Sequence, residues 1–330
     1  MFARSSSSKL FARIALSFSL LLSLSACQKN NDKTENKINN DNISLNIGYQ
    51  KYGVLPIVKA RGELDKTLKQ QGVQVKWVEF PAGPQLLEGL NVGSVAFGEA
   101  GEAPPIFAQA AGSAMVYIAN QPAAPHAEAL IVPKGSAIQS IADLKHKKVA
   151  LNKGSNVHYL LLRLLESNHL SFKDITPVYL TPADARAAFE SGAVDAWVIW
   201  DPFLAAAEQQ LDAKVIANGK DLVNNHQFYL AQRAYATAHP KIIQTVIQEL
   251  NQSTQWIAQH PDQAAALLAS QTGLQHDILK RSIQRMGFAV KPLSDDVIQA
   301  QQKIADSFYQ HQLIPKSLVV KDAILPVKAQ

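Results

Sequence analysis

The residues of this 330-residue chain best suited to binding chemistry sit in four short turns, each after an apolar run. Gly154-Ser155-Asn156-Val157 opens a helical stretch, so its first amide groups lack partners within the helix and the positive end of the helix dipole lies beside them. Such a terminus suits a compact anion. Ser155 and Asn156 add side-chain donors, although simple capping of the helix by either residue uses the same geometry. The turn from Gln50 to Gly53 can add donors from another strand end. His158, one turn into its helix, can donate to an anion when protonated or can pack as a hydrogen-bonded core residue. Trp200 either covers an apolar tail or belongs to the core. Trp197, three residues earlier, falls on the opposite strand face and is expected in the core. Glu102, after Gly101, and Asp201, after Trp200, are acids that would repel an anion. They are expected to accept hydrogen bonds from a polar or amino group on a ligand, or to organise their turns. Asp184 and Arg186 read as a structural ion pair, and Lys51 and Lys153 as flexible charges giving a cleft a favourable sign.

These turns belong to a unit that occurs twice. Leu45-Asn46-Ile47-Gly48-Tyr49-Gln50-Lys51 and Val149-Ala150-Leu151-Asn152-Lys153 are each followed by a glycine-containing turn and a helical stretch, the first running to Leu68. Downstream, Leu86-Leu87-Glu88-Gly89-Leu90-Asn91-Val92-Gly93 matches Arg186-Ala187-Ala188-Phe189-Glu190-Ser191-Gly192 as an amphipathic helix ending at glycine. Each then feeds a strand that ends near an acid, Glu102 or Asp201. Strands alternating with helices predict an α/β fold with parallel sheets, and two copies predict two lobes. Ligands of open α/β sheets bind beyond the carboxyl ends of the strands, which gathers the turns at 50–53, 101–105, 153–158 and 200–203 around one cleft. The stretch 238–312 reads as mostly helical, punctuated by Pro240, Pro261 and Pro292, and is expected to pack on the first lobe.

With 47% hydrophobic and 18% charged residues the chain is too apolar for a disordered protein. The formal charge of +5 falls to 5 − 3 = +2 once Arg4, Lys9 and Arg13 are set aside with a leader that holds no acid, and no basic stripe of a nucleic-acid binder is visible. That leader, residues 1–26, has a basic end, an apolar core at 14–24 and small residues before Cys27, the layout of a secretory signal. Its core is short for a stable membrane anchor. Leu24-Ser25-Ala26-Cys27 resembles a bacterial lipobox, which implies a lipid on Cys27, the sole cysteine of the chain. An ordinary signal with a chance cysteine is the alternative. Residues 28–42 carry one apolar side chain, Ile38, and read as a flexible tether. No Gly-x-Ser-x-Gly elbow, His-Glu-x-x-His pair or phosphate loop occurs, and the nine histidines lack metal-ligand spacing. No enzyme, metal or cofactor is therefore expected.

Five segments carry a resemblance: Ile47-Gly48-Tyr49-Gln50-Lys51, Glu79-Phe80-Pro81-Ala82-Gly83-Pro84-Gln85, Lys153-Gly154-Ser155, Pro182-Ala183-Asp184-Ala185-Arg186 and Val194-Asp195-Ala196-Trp197-Val198-Ile199-Trp200-Asp201-Pro202. They resemble aliphatic sulfonate-binding proteins, the solute receptors of sulfonate-uptake ABC transporters, and the likeness runs from about residue 45 to 327. The resemblance implies a two-lobed periplasmic binding protein-like fold of type II, joined by crossings near 129–133 and 229–233 and closing over ligand by hinge motion. Lobe I would comprise 43–131 and 232–330, and lobe II 132–231. It implies an alkanesulfonate ligand, ABC permease subunits as partners, a monomer on the extracytoplasmic face and membrane contact through the lipid at 27. The candidate ligand-binding residues are Gln50, Gly53, Gly101, Glu102, Ser155, Asn156, Val157, His158, Trp200 and Asp201. Branches of the same fold that bind taurine, nitrate or a thiamine-pyrimidine precursor, and an enzyme that makes that pyrimidine, are the alternatives. The enzyme's cysteine-rich motif is missing here.

Overall fold

The computed structural model describes residues 43–325. The expected leader 1–26 and the tether 27–42, with Cys27, lie outside the described residues. From β1 (Ile43–Tyr49) the chain runs through α1 (Leu55–Arg61) and α2 (Glu63–Gln70) to β2 (Val73–Glu79), through α3 (Gly83–Asn91) to β3 (Phe97–Gly101), and through α4 (Ala103–Ala110) to β4 (Met115–Asn120). A second series follows: β5 (Glu128–Val132), β6 (Lys148–Leu151), α5 (Asn156–Glu166), β7 (Thr176–Tyr179), α6 (Pro182–Glu190), β8 (Ala196–Trp200), α7 (Phe203–Gln210) and β9 (Lys214–Asn218). Last come β10 (Gln227–Gln232), α8 (Arg233–Ala238), α9 (Pro240–Gln259), α10 (Pro261–Thr272), α11 (His276–Arg285) and α12 (Asp295–Gln310).

The strands form two sheets with the same plan, ordered β2-β1-β3-β10-β4 and β7-β6-β8-β5-β9. In each, four strands run in one direction, and the strand fourth in the order is antiparallel to both of its neighbours. The repeat read from the sequence is thus a repeat of topology. The chain passes between the sheets at 121–127 and 219–226, because β5 pairs wholly within the second sheet and β10 within the first. These crossings precede the expected 129–133 and 229–233. Residues 121–127, Gln-Pro-Ala-Ala-Pro-His-Ala, contain two prolines, which donate no ladder hydrogen bond; the apolar Glu-Ala-Leu-Ile-Val run behind them is a buried strand instead.

Local chemistry sets the helix ends. Prolines at 240 and 261 occupy the first helical position of α9 and α10, where a missing N–H costs nothing. Thr181 and Ser294 cap α6 and α12 by accepting from the amides of Asp184 and Val297. The expected single helix to Leu68 is broken at Gly62, which ends α1 and precedes α2. Helix α9 packs on α1 and α2, α10 on α1 and α11 on α10, so that Val246, Leu250, Leu268 and Leu279 share one core with Leu45 and Ile47 of β1, as expected for a returning C-terminal segment. Trp197 is 1% exposed in a core with Phe189, Leu204 and Ala207, and burying a side chain of this size contributes roughly 1.5–3 kcal/mol. A third cluster, including Leu86, Ile106, Leu160 and Phe308, joins α3, α4, α5 and α12 across both halves. No helix among the described residues is long and apolar enough to cross a membrane.

Candidate functional site

The carboxyl ends of the parallel strands of both sheets face one cavity, part of it open to solvent. All four expected turns contribute: Gln50 and Gly53 after β1, Gly101 and Pro104 around the start of α4, Ser155 and Asn156 at the start of α5, and Trp200 at the end of β8. The crossings add Gln121, Pro122, Asn225 and Gln227, and the end of α11 adds Met286 and Gly287.

Asn156 joins the two halves. Its Oδ1 accepts from the Ala103 amide at the N-terminus of α4, 3.1 Å away, and its Nδ2 donates to Asn225 Oδ1 in the second crossing. Two helix N-termini, one per sheet, therefore meet at one carboxamide. The contact requires a glycine opposite, since a Cβ on Gly101 would lie 2.2 Å from Asn156 Oδ1. Ser155 precedes α5 but does not cap it: its Oγ donates back to the Asn152 carbonyl at 2.7 Å. The capping alternative is thus not realised by Ser155; the amides of Ser155 and His158 donate to the carbonyls of Asn152 and Ser155 at 3.3 and 3.0 Å, while those of Asn156 and Val157 open the helix, where no intrahelical acceptor precedes them. Gln50 Nε2 donates to the Glu99 carbonyl, and Trp200 is half-buried at the cavity wall.

Four expected contact residues do not line the cavity. Glu102 is 1% exposed, and its carboxylate accepts from the amides of Asn225 and His226 at 3.2 and 2.8 Å. It fixes the second crossing to the start of α4, and burial, against those two amides, raises its pKa to about 7. Asp201 is fully buried and accepts from the Ala205 amide, Ser282 Oγ and Arg285 Nη1. Burial raises its pKa to about 6, with Arg285 opposing. Both acids organise turns, one of the two roles expected of them. His158 is buried, with Nδ1 accepting from the Gly154 amide and the ring stacked on Phe107. Burial, and then Lys153, push its pKa down to about 4, so it is neutral near pH 7 and offers an anion no charge. Val157 faces the core.

The expected lysines are elsewhere too. Lys51 pairs with Glu79 at 3.8 Å, and Lys153 lies over the Tyr179 ring. Arg186 pairs with Glu190 one helical turn on, while Asp184 bonds Thr181, so the expected Asp184–Arg186 pair does not form. A helix places positions four apart on one face and positions two apart on different faces. One lining residue missed in the sequence is Glu99, an acid inside the buried strand Phe97–Gly101; a carboxylate in an otherwise apolar strand was the available signal. Met286 and Gly287 carried none.

Among the described residues no group of three or more His, Cys, Asp or Glu side chains is placed to hold a metal ion. The cavity offers neutral donors and apolar walls around one buried carboxylate, that of Glu99.

Residues 68–264 match the family model described as NMT1/THI5 like. The alkanesulfonate-binding protein of Xanthomonas axonopodis pv. citri, in a structure bound to MOPS, is 44% identical, superposes with a TM-score of 0.82 and is covered over 98% of its length by 86% of this chain. The periplasmic aliphatic sulphonate binding protein of Escherichia coli is 43% identical with a TM-score of 0.78, covering 87% of this chain and 94% of its own. A taurine-binding periplasmic protein of Escherichia coli is 25% identical over 59% of this chain and 61% of its own. The strongly similar relatives are binding proteins, not enzymes, and their shared plan of paired sheets around one cleft is the plan found here. The chain belongs to the NMT1/THI5-like family and, within it, stands with the aliphatic sulfonate-binding proteins.

Proposed function

We propose that the protein is the extracytoplasmic receptor of a sulfonate importer, holding an aliphatic sulfonate in the cleft and presenting its closed form to an ABC permease. The observation that carries this reading is the meeting of strand ends and helix N-termini from both sheets at one cavity, in a chain 43–44% identical to sulfonate-binding proteins over nearly their whole length. A sulfonate is a compact anion with three acceptor oxygens. The second amide hydrogens of Asn156 and Gln50, with the α5 terminus behind them, can solvate it without a counter-ion, while Trp200 supplies an apolar wall for the tail. Lobe I would hold the first sheet and the C-terminal helices, and lobe II the second sheet. The halves meet through an apolar contact at α4, α5 and α12 and through α7 and α11, where the buried Ala205, Ala206 and Ile278 pack beside charged pairs. Ligand bridging both lobes favours the closed state by its differential contacts.

Calorimetry with linear alkanesulfonates, taurine, sulfate, nitrate and hydroxymethylpyrimidine tests the reading. Saturable binding of an alkanesulfonate is expected, with a thermal shift matching about 2.7 kcal/mol of added stability at a ligand concentration a hundredfold above Kd. Binding of the pyrimidine with no sulfonate binding overturns it. The same reading makes the protein a monomeric lipoprotein attached through Cys27. Labelled palmitate should enter the wild type and not Cys27→Ser; equal labelling rejects the anchor.

A further inference from the structure

The cleft contains a charge of the wrong sign for its ligand. Among the described residues no lysine, arginine or histidine side chain lines the cavity, and the charged side chain that does is that of Glu99. This carboxylate is 5% exposed and accepts three hydrogen bonds: Oε2 from the amides of Val54 and Leu55 at the start of α1, and Oε1 from Gln121 Nε2 at 2.7 Å. Three donors and no acceptor around it favour the ionised form, while burial pushes its pKa up to about 7. A carboxylate has about four acceptor directions, so one is left, on the less occupied Oε1. The adjoining position explains its access. Gly53 has φ +114, and a Cβ there would lie 2.9 Å from Glu99 Oε1, so no side chain at 53 stands against this oxygen, and both residues line the cavity. Holding an anion at the neutral donors while an unneutralised carboxylate waits in the same cavity is unfavourable, unless the ligand brings a cation to it.

We propose that Glu99 is a specificity-determining residue whose open Oε1 accepts a hydrogen bond from a protonated amine on the tail of the bound sulfonate, making zwitterionic sulfonates the preferred ligands. The proposal rests on the sulfonate reading above and names the subclass. It differs from the role expected of Glu102 and Asp201 in the residue: the acid that reaches the cleft lies three positions before Glu102.

The test is calorimetry on the full chain with pairs of sulfonates that differ only at the tail end, an ammonium against a methyl group: ω-aminoalkanesulfonates with two to four carbons and the matching alkanesulfonates. At pH 8.5 one chain length at least should favour ammonium by about tenfold, the worth of one charge-assisted hydrogen bond. In Glu99→Gln the ratio of ammonium to methyl affinity should fall to one or below. A pH series on the wild type guards against a folding defect of the variant. The groups facing Glu99 are Tyr52 and Tyr229, whose pKa values burial raises further above neutrality, with Asp201 and Arg285 beyond Tyr52. The ammonium preference should therefore fade as the pH falls and Glu99 takes up its proton. Equal or methyl-favouring affinities at every length, a ratio untouched by Glu99→Gln, or a ratio that does not fall with pH overturns the inference while leaving the sulfonate reading intact. Failure of every sulfonate to bind overturns both.

Discussion

Gly101 and Asn156 make a pair that a single methyl group would separate. A Cβ on Gly101 would lie 2.2 Å from Asn156 Oδ1, and flanking contacts hold that carboxamide through Ala103 and Asn225. Gly101→Ala is expected to weaken sulfonate binding by about tenfold or more and to enlarge the radius of gyration with ligand present. Adding Asn156→Ala frees the space, so the double variant should bind better than Gly101→Ala alone, with a coupling of about 1–3 kcal/mol by calorimetry. Strict additivity would show that the contact does not govern closure. At this scale the sequence was informative where backbone dictates position: strand-end glycines and helix-opening polar residues at 50–53, 101 and 155–156 all reached the cavity. It was less informative for side chains whose direction depends on packing. His158 and Val157 follow Asn156 directly in the helix, but their rotation about its axis turns them into the core, and only its place inside an apolar strand set Glu99, which reaches the cleft, apart from Glu102, which turns back to the crossing.

At the scale of elements, β5 begins with an unusual residue. Glu128 is fully buried, neither carboxylate oxygen has a hydrogen-bond partner, and burial together with the nearby Glu102 charge raises its pKa well above the usual range. A carboxyl whose pKa is raised on folding contributes stability below its ordinary pKa and loses it as pH rises toward the folded value. Glu102, raised to about 7, acts in the same direction. Glu128→Met keeps the length and removes the ionisation, so it is expected to raise stability at pH 8 by roughly 1–3 kcal/mol and by much less at pH 5. Denaturant unfolding at both pH values measures this, and an equal effect at both would exclude an ionisation origin. The helices and parallel strands were legible from periodicity, proline and glycine. The crossings were not, because a buried antiparallel strand such as Glu-Ala-Leu-Ile-Val has the same apolar run whether it belongs to one sheet or links two.

For the whole molecule, the side of contact between α7 and α11 concentrates charge: Arg285 meets both Asp201 and Glu208, and Arg281 meets Glu208. Arg285→Ala would leave Asp201 fully buried without its cation, a change that costs roughly 3–5 kcal/mol in comparable pairs. The expected result is a lower Tm and a more open average shape by small-angle scattering. Asp201→Asn in the same chain should recover most of the stability, since no buried charge then remains; failure to recover would place the effect in packing instead. One property of the architecture reaches beyond binding. The second sheet is built from a contiguous stretch, β5 to β9, whereas the first needs β10 between β3 and β4. A polypeptide emerging N-terminus first can therefore finish the inserted half once residue 218 has appeared. The half it began with keeps two bare strand edges until 227–232 arrive, and over that interval a pairing-competent intermediate must be shielded from its neighbours.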